Sequence, residues 1–69
     1  MVKQSQVPTR RKLRHMAFIG LRELARRAGV DNGQLSRWER GLVGMGPDKV
    51  ARIAKVLGVS PEILNKSNE

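Results

Sequence analysis

A short run of polar residues near the middle of the chain carries side chains that can hydrogen-bond to the edges of base pairs. These candidate base-reading residues are Asn32, Gly33, Gln34 and Arg37. In the major groove, Asn and Gln can each make two hydrogen bonds to adenine, and Arg can make two to guanine. Leu35 and Trp38 lie three residues apart and would share the inner face of the same helix. The alternative is that Asn32 is only a solvated residue of the first turn.

The residues around this helix predict where it begins and how it is oriented. Asp31 can cap its N-terminus, and Gln34 follows at the capping-box spacing, in which each side chain bonds the other's backbone N–H. Gly29 ends the preceding helical pattern, and a connector of only three residues forces the two helices to cross at a steep angle. We assign Trp38 to the core rather than to base stacking, because it shares a helix face with Leu35.

The composition excludes several classes of protein. The 69 residues form one small domain with no cysteine and a single His15, which excludes disulfides, zinc sites and thiol nucleophiles. No carboxylate pair, nucleophile with a base, or phosphate-cradling Gly loop is recognisable, so we expect no catalysis, no metal, no cofactor and no small-molecule substrate. No apolar run approaches the roughly 18 residues of a membrane span. We therefore expect a cytoplasmic protein.

The net charge of +8 is concentrated in the first part of the chain. Residues 1–40 hold ten Lys or Arg and three acidic residues, whereas residues 41–69 hold four and three. A basic surface of this kind favours a polyanionic partner, with nucleic acid as the obvious one. The alternative is surplus charge that only keeps a small domain soluble.

Apolar residues recur at helical spacing and no alternating segment predicts a strand, so we expect an all-α fold. The predicted helices cover residues 10–18, 21–28, 32–40 and 47–57, with a short last helix from Pro61. The predicted organisation is a flexible basic arm at 1–9, one helical domain at 10–66, for which the resemblance described next implies a helix-turn-helix DNA-binding domain, and a frayed tail at 67–69.

The order of several short motifs resembles the Xre/Cro family of phage-repressor-like helix-turn-helix proteins. These motifs are Glu23-Leu24-Ala25, Gly29-Val30, Leu35-Ser36-Arg37-Trp38-Glu39-Arg40-Gly41 and Ile53-Ala54-Lys55-Val56-Leu57-Gly58-Val59. The resemblance covers about residues 10–65. It implies a compact five-helix bundle of the lambda repressor type, with the helix-turn-helix at 21–40 and a recognition helix that starts at Asn32.

The resemblance also assigns roles to individual residues. It makes Asn32 and Arg37 the principal base readers, whereas Gly33 departs from the long polar side chain that many relatives carry there. It implies a partly buried structural ion pair between Arg14 and Glu39, although Arg14 has a competing role as a phosphate contact.

Basic and hydroxyl side chains are expected to contact phosphates and to supply the salt dependence of binding. The expected phosphate contacts are Arg10, Arg11, Lys12, Arg22, Ser36 and Arg40, with Lys3 as a further candidate. The chain departs from its relatives at Gly20-Leu21, where a Gln or Thr often clamps a phosphate, and Arg22 is the candidate substitute. Arg10, Arg11 and Lys12 could instead be a solvated helix start.

The loop after the recognition helix is apolar, where relatives usually have a basic one. By the resemblance, it lies on the side of the domain through which relatives form dimers. The expected dimer or partner contacts are Leu42, Val43, Met45, Val59 and Ile63. We expect a homodimer, in free solution or only on DNA, that reads a palindromic operator. The alternative is a loop that folds back over its own core.

Together these features predict a sequence-specific double-stranded DNA-binding regulator, with repression as the expected action. Two alternatives remain. One is an antitoxin or adaptor whose apolar loop and last helix bind a protein. The other is an excisionase-like or nucleoid-like accessory factor that bends DNA with weak sequence preference.

Overall fold

The computed structural model describes residues 8–67, and this part of the chain folds into five helices without any strand. The helices are α1 (Arg10–Met16), α2 (Leu21–Ala28), α3 (Asn32–Glu39), α4 (Pro47–Leu57) and α5 (Pro61–Lys66). The prediction of an all-α five-helix bundle is confirmed. None of these helices has the length and apolar character that crossing a bilayer requires.

Local sequence signals account for most helix ends. The Thr9 side chain accepts a hydrogen bond from the backbone N–H of Lys12 and caps α1, and Asp31 caps α3 in the same way. Pro47 occupies the first turn of α4, where its missing N–H costs nothing. Gly29 and Gly58 end α2 and α4 in the left-handed conformation, with φ of 70° and 76°.

The core lies where α2, α3, α4 and α5 meet. Leu24, Leu35, Ile53 and Leu64 have almost no exposed surface, and each comes from a different helix. Trp38 is only 3% exposed, as its spacing from Leu35 predicted. Such close-packed apolar side chains provide the main stabilising term of a small domain.

A buried ion pair joins α1 to the last turn of α3. Arg14 Nε lies 2.6 Å from Glu39 Oε2, and Arg14 Nη2 lies 3.2 Å from Glu39 Oε1, which makes the pair bidentate. Arg14 Nη1 also donates to the carbonyl of Ile19 at 3.1 Å. Both charged side chains are buried, so Arg14 is not exposed as a phosphate contact would have to be.

The structure differs from the predicted boundaries at both ends of the bundle. Helix α1 ends at Met16, and Phe18 adopts a left-handed φ of 58°. Ser67, expected to belong to a frayed tail, is instead buried, and its hydroxyl donates to the carbonyl of Pro8. The remainder of the predicted arm, with its candidate contact Lys3, and the last two residues lie outside the described residues.

Glu39→Gln is expected to destabilise the domain strongly. The substitution keeps the size of the side chain but leaves the buried Arg14 guanidinium without a counter-charge. The free energy of unfolding is expected to fall by about 3–5 kcal/mol. Urea denaturation followed by far-UV circular dichroism measures this change.

Glu23→Gln is the matched control for this variant. Glu23 also pairs with arginines, but on an exposed helix surface where solvent screens the interaction. Its unfolding midpoint is therefore expected to stay close to wild type. Equal losses of stability in the two variants would show that burial adds nothing to the Arg14–Glu39 pair.

Candidate nucleic-acid interface

The outer side of α3 is polar and accessible, whereas its inner side is part of the core. Asn32 and Arg37 are exposed, and Gly33 and Gln34 are partly buried. Leu35 and Trp38 of the same helix are buried. All four predicted base-reading residues therefore remain at the surface of α3, and three of them form its first turn.

Gly33 leaves space that the side chain of Arg37 occupies. A Cβ atom at Gly33 would meet Arg37 Nη1 at 3.4 Å and the Asp31 Oδ2 atom at 3.2 Å. The guanidinium group of Arg37 thus lies back along the helix toward its N-terminus, as long side chains in helices do. The Arg37 donors therefore lie close to the first turn of α3.

Gln34 makes only one half of the predicted capping box. Its backbone N–H donates to Asp31 Oδ2 at 2.9 Å, as expected. Its side-chain Oε1 accepts a hydrogen bond from Lys49 Nζ of α4 at 3.4 Å. The predicted reciprocal bond to Asp31 is thus replaced by a contact between helices. Lys49 was absent from the sequence-based candidates, because no local pattern links residues of α3 and α4.

Arg10, predicted to contact a phosphate, instead packs against the protein. Its Nε donates to the carbonyl of Leu64 at 3.0 Å, and its Nη1 donates to the carbonyl of Trp38 at 2.7 Å. Its guanidinium carbon also lies 4.2 Å from the centre of the Trp38 ring, a cation–π distance. Arg10 therefore connects α1 to the last turns of α3 and α5, whose carbonyls attract a cation.

The other predicted phosphate contacts remain accessible. Arg11, Lys12, Arg22 and Arg40 are exposed, and Ser36 is partly buried. Arg22 lies in the first turn of α2, two residues after the N-cap residue Gly20, where the helix dipole also favours an anion. Arg40 ends α3 and donates to the Ser36 carbonyl at 3.4 Å. These residues come from α1, α2 and the end of α3.

Two further cations on α2 are partly neutralised within the helix. Arg26 and Arg27 both donate to the carboxylate of Glu23. The hydrogen bonds from Arg26 and then Arg27 lower the pKa of Glu23, because they stabilise its charged form. This part of α2 thus contributes less positive potential than its sequence indicates.

The five predicted dimer or partner contacts fall into two groups. Leu42 and Val43 are 63% and 38% exposed, in the loop between α3 and α4. Met45, Val59 and Ile63 are partly buried and pack against the core. The alternative of a loop that folds back over its core therefore applies to Met45 only. Sequence reasoning missed a second apolar surface, at Phe18, which is 96% exposed.

Comparison with known proteins agrees with this geometry. The helix-turn-helix family model HTH_3 matches residues 20–64, which include α2, α3, α4 and most of α5. The chain belongs to this helix-turn-helix family. The resemblance noted from the sequence is thereby confirmed, and the five-helix bundle is consistent with a lambda repressor-like fold.

Two curated relatives are similar over most of the chain. They are the uncharacterized HTH-type transcriptional regulators MT0491 and Rv0474, from the CDC 1551 and H37Rv strains of Mycobacterium tuberculosis. Each is 46% identical over 54 residues, which is 78% of this chain. The match covers 39% of each relative, so the chain spans about two fifths of their length. No solved structure is significantly similar to the chain.

Arg10→Ala is expected to destabilise this helix-turn-helix domain, whereas Arg11→Ala is not. Loss of hydrogen bonds from a charged group is expected to lower the free energy of unfolding by about 1.5–3 kcal/mol. The fluorescence of Trp38, the only tryptophan of the chain, should change at the same time. Arg11→Ala removes the same charge from an exposed neighbour and controls for net charge. Identical unfolding midpoints for the two variants would contradict the structural role of Arg10.

Proposed function

We propose that the chain is a sequence-specific double-stranded DNA-binding domain of a transcriptional regulator, and that α3 reads bases in the major groove. The observation that supports this most directly is the division of α3 into an exposed polar face and a buried apolar face. Membership of a helix-turn-helix family points to the same function, as do the relatives, which are named as HTH-type transcriptional regulators.

In this proposal Asn32 and Arg37 are the principal base readers. Both are exposed, and their side chains have the paired donors and acceptors that match adenine and guanine edges. Gln34 adds a third polar group to the same turn, and Gly33 keeps the backbone of α3 accessible. No side chain of the apolar core competes for this surface, because Leu35 and Trp38 point away from it.

Phosphate contacts would position α3 in the groove without reading sequence. Arg11, Lys12, Arg22 and Arg40 are the exposed cations available for this role, and Ser36 adds a hydroxyl. Four phosphate contacts correspond to a fall of log K with log salt concentration at a slope of about −3.6. We propose repression as the action of the domain, since a domain bound at a promoter would exclude other proteins from the same DNA.

Asn32→Ala and Arg37→Ala are each expected to weaken binding to a selected duplex by about tenfold or more, because each removes a two-bond base contact. Their affinity for a random duplex, their salt slope and their unfolding midpoint are expected to stay near wild type. The duplex comes from selection in a random library, and fluorescence anisotropy measures the titrations. The matched control is Asn65→Ala, because Asn65 is an exposed residue of α5.

Two results would contradict the proposed function. One is wild-type binding with no sequence preference, which would favour a nucleoid-like factor instead. The other is a salt slope near zero, which would mean that no phosphate is neutralised. If Asn32→Ala and Asn65→Ala bound the selected duplex equally, the assignment of Asn32 as a base reader would be wrong.

We also propose that the domain forms a two-fold dimer on a palindromic operator through Leu42 and Val43. These side chains are exposed on a Gly-rich loop, and burying them would add the apolar contact that a small core lacks. A two-fold dimer would present two copies of α3 about 34–36 Å apart, one helical turn of DNA.

Leu42→Ser combined with Val43→Ser is expected to abolish this dimer, because it removes the shared apolar contact. Sedimentation at micromolar concentration, during titration of a palindromic duplex, should then show the two half-sites being filled independently, by single copies and without cooperativity. Met16→Ser, which removes a similarly exposed apolar side chain elsewhere, is the control. Unchanged cooperativity in the double variant would place the dimer contact on another surface.

A further inference from the structure

The first turns of α3 and α4 meet at the hydrogen bond between Lys49 and Gln34. Lys49 Nζ lies 3.4 Å from Gln34 Oε1, although the two residues are 15 positions apart in the sequence. Both side chains are only partly buried, so the contact lies at the edge of the surface that includes Asn32.

This contact fixes which end of the Gln34 amide faces outward. A lysine ammonium group has three donors and no acceptor, so the amide oxygen must be the atom that faces Lys49. The Nε2 group, which only donates, is then left to face solvent. Because Lys49 already binds one lone pair of Oε1, a donor on the adenine edge would have to approach that oxygen beside the Lys49 ammonium, which disfavours the paired donor and acceptor contact that glutamine makes with adenine.

We propose that Lys49 is a specificity-determining residue that makes Gln34 a donor and thereby selects guanine over adenine at one base pair. Guanine presents two acceptors, N7 and O6, in the major groove, whereas adenine presents one acceptor beside a donor. The outward Nε2 of Gln34 and the ammonium of Lys49 together offer only donors, which match guanine. This inference rests on the proposed reading of the major groove by α3.

The two residues act differently in this arrangement. Gln34 contacts the base, and Lys49 acts chiefly by holding the Gln34 amide in one orientation. Without Lys49, Oε1 can accept from the adenine amino group while Nε2 donates to N7, so that Gln34 can make both hydrogen bonds to adenine. Loss of Lys49 is therefore expected to change which base is preferred, whereas loss of an ordinary phosphate contact weakens binding equally for all sequences.

Parallel binding-site selection tests the proposal with wild type, Lys49→Met and Lys55→Met. Lys55 lies on the same helix and is exposed, so its variant loses the same charge without touching Gln34. Wild type and Lys55→Met are expected to select guanine at one position at which Lys49→Met accepts adenine. Lys49→Arg, which keeps a donor-only group, is expected to retain the preference for guanine.

Titrations of two duplexes that differ only at that position measure the size of the effect. The preference of wild type for the guanine duplex is expected to be about tenfold, and Lys49→Met is expected to lose it. The salt slope of Lys49→Met is expected to remain that of wild type. In the free protein, the NMR signals of the Gln34 side-chain amide are expected to shift in Lys49→Met and to stay in place in Lys55→Met.

Several results would overturn the inference. If Lys49→Met weakened binding to both duplexes equally and reduced the salt slope by about 0.9, Lys49 would be a phosphate contact. Identical selected sites for all variants, or an unmoved Gln34 amide signal, would show that Lys49 does not orient Gln34. These results leave wild-type sequence preference intact. If wild type itself selected no site, the proposed function would fail as well.

Discussion

An eight-residue helix is too short to be stable alone in water, so α3 depends on the contacts that hold its inner face and its last turn. Leu35 and Trp38 fix the inner face in the core, and Glu39 fixes the last turn through its buried pair with Arg14. Arg10 also contacts the last turn, because it donates to the Trp38 carbonyl and lies at a cation–π distance from the Trp38 ring. All of these contacts lie on one side of α3 and hold the helix in place. The polar groups on the opposite side are therefore already ordered, which reduces the entropy that is lost when a ligand binds.

The fourteen Lys and Arg residues of this chain do not form one uniform basic surface. Some have structural partners: Arg14 is buried with Glu39, and Arg52 donates to the Ala28 carbonyl at the end of α2. Others form intrahelical pairs with Glu23, and their hydrogen bonds lower the pKa of its carboxyl group. The cations left to attract a polyanion are therefore fewer than the number of basic residues suggests. The positions of these accessible cations, more than their number, determine how a helix-turn-helix domain can be oriented on the phosphate backbone of DNA.

Local sequence signals were enough to predict the five helices, the Asp31 cap of α3 and the burial of Leu35 and Trp38. Periodic apolar residues, Asp31 before α3 and Gly29 after α2 all act within one or two turns of the chain. The Arg14–Glu39 pair was accessible only through resemblance to a family. The contacts that sequence reasoning missed join distant residues: Arg10 with Leu64, Lys49 with Gln34, and Ser67 with Pro8. No spacing rule predicts them, because they depend on how the helices pack.

The contact between α3 and α4 shows how such packing can affect recognition. Helix α4 buries Val50 and Ile53 and packs against α2, so the position of its first turn is fixed by the core. Lys49 extends from that first turn to the Gln34 amide. Lys49, on a helix with no predicted base-reading residue, is thereby placed to orient the side chain of Gln34, one of the proposed base-reading residues. In this domain, binding specificity would then depend on the packing of two helices as well as on the sequence of α3. Substitutions in the first turn of α4 could change the preferred base while every residue of α3 stays the same.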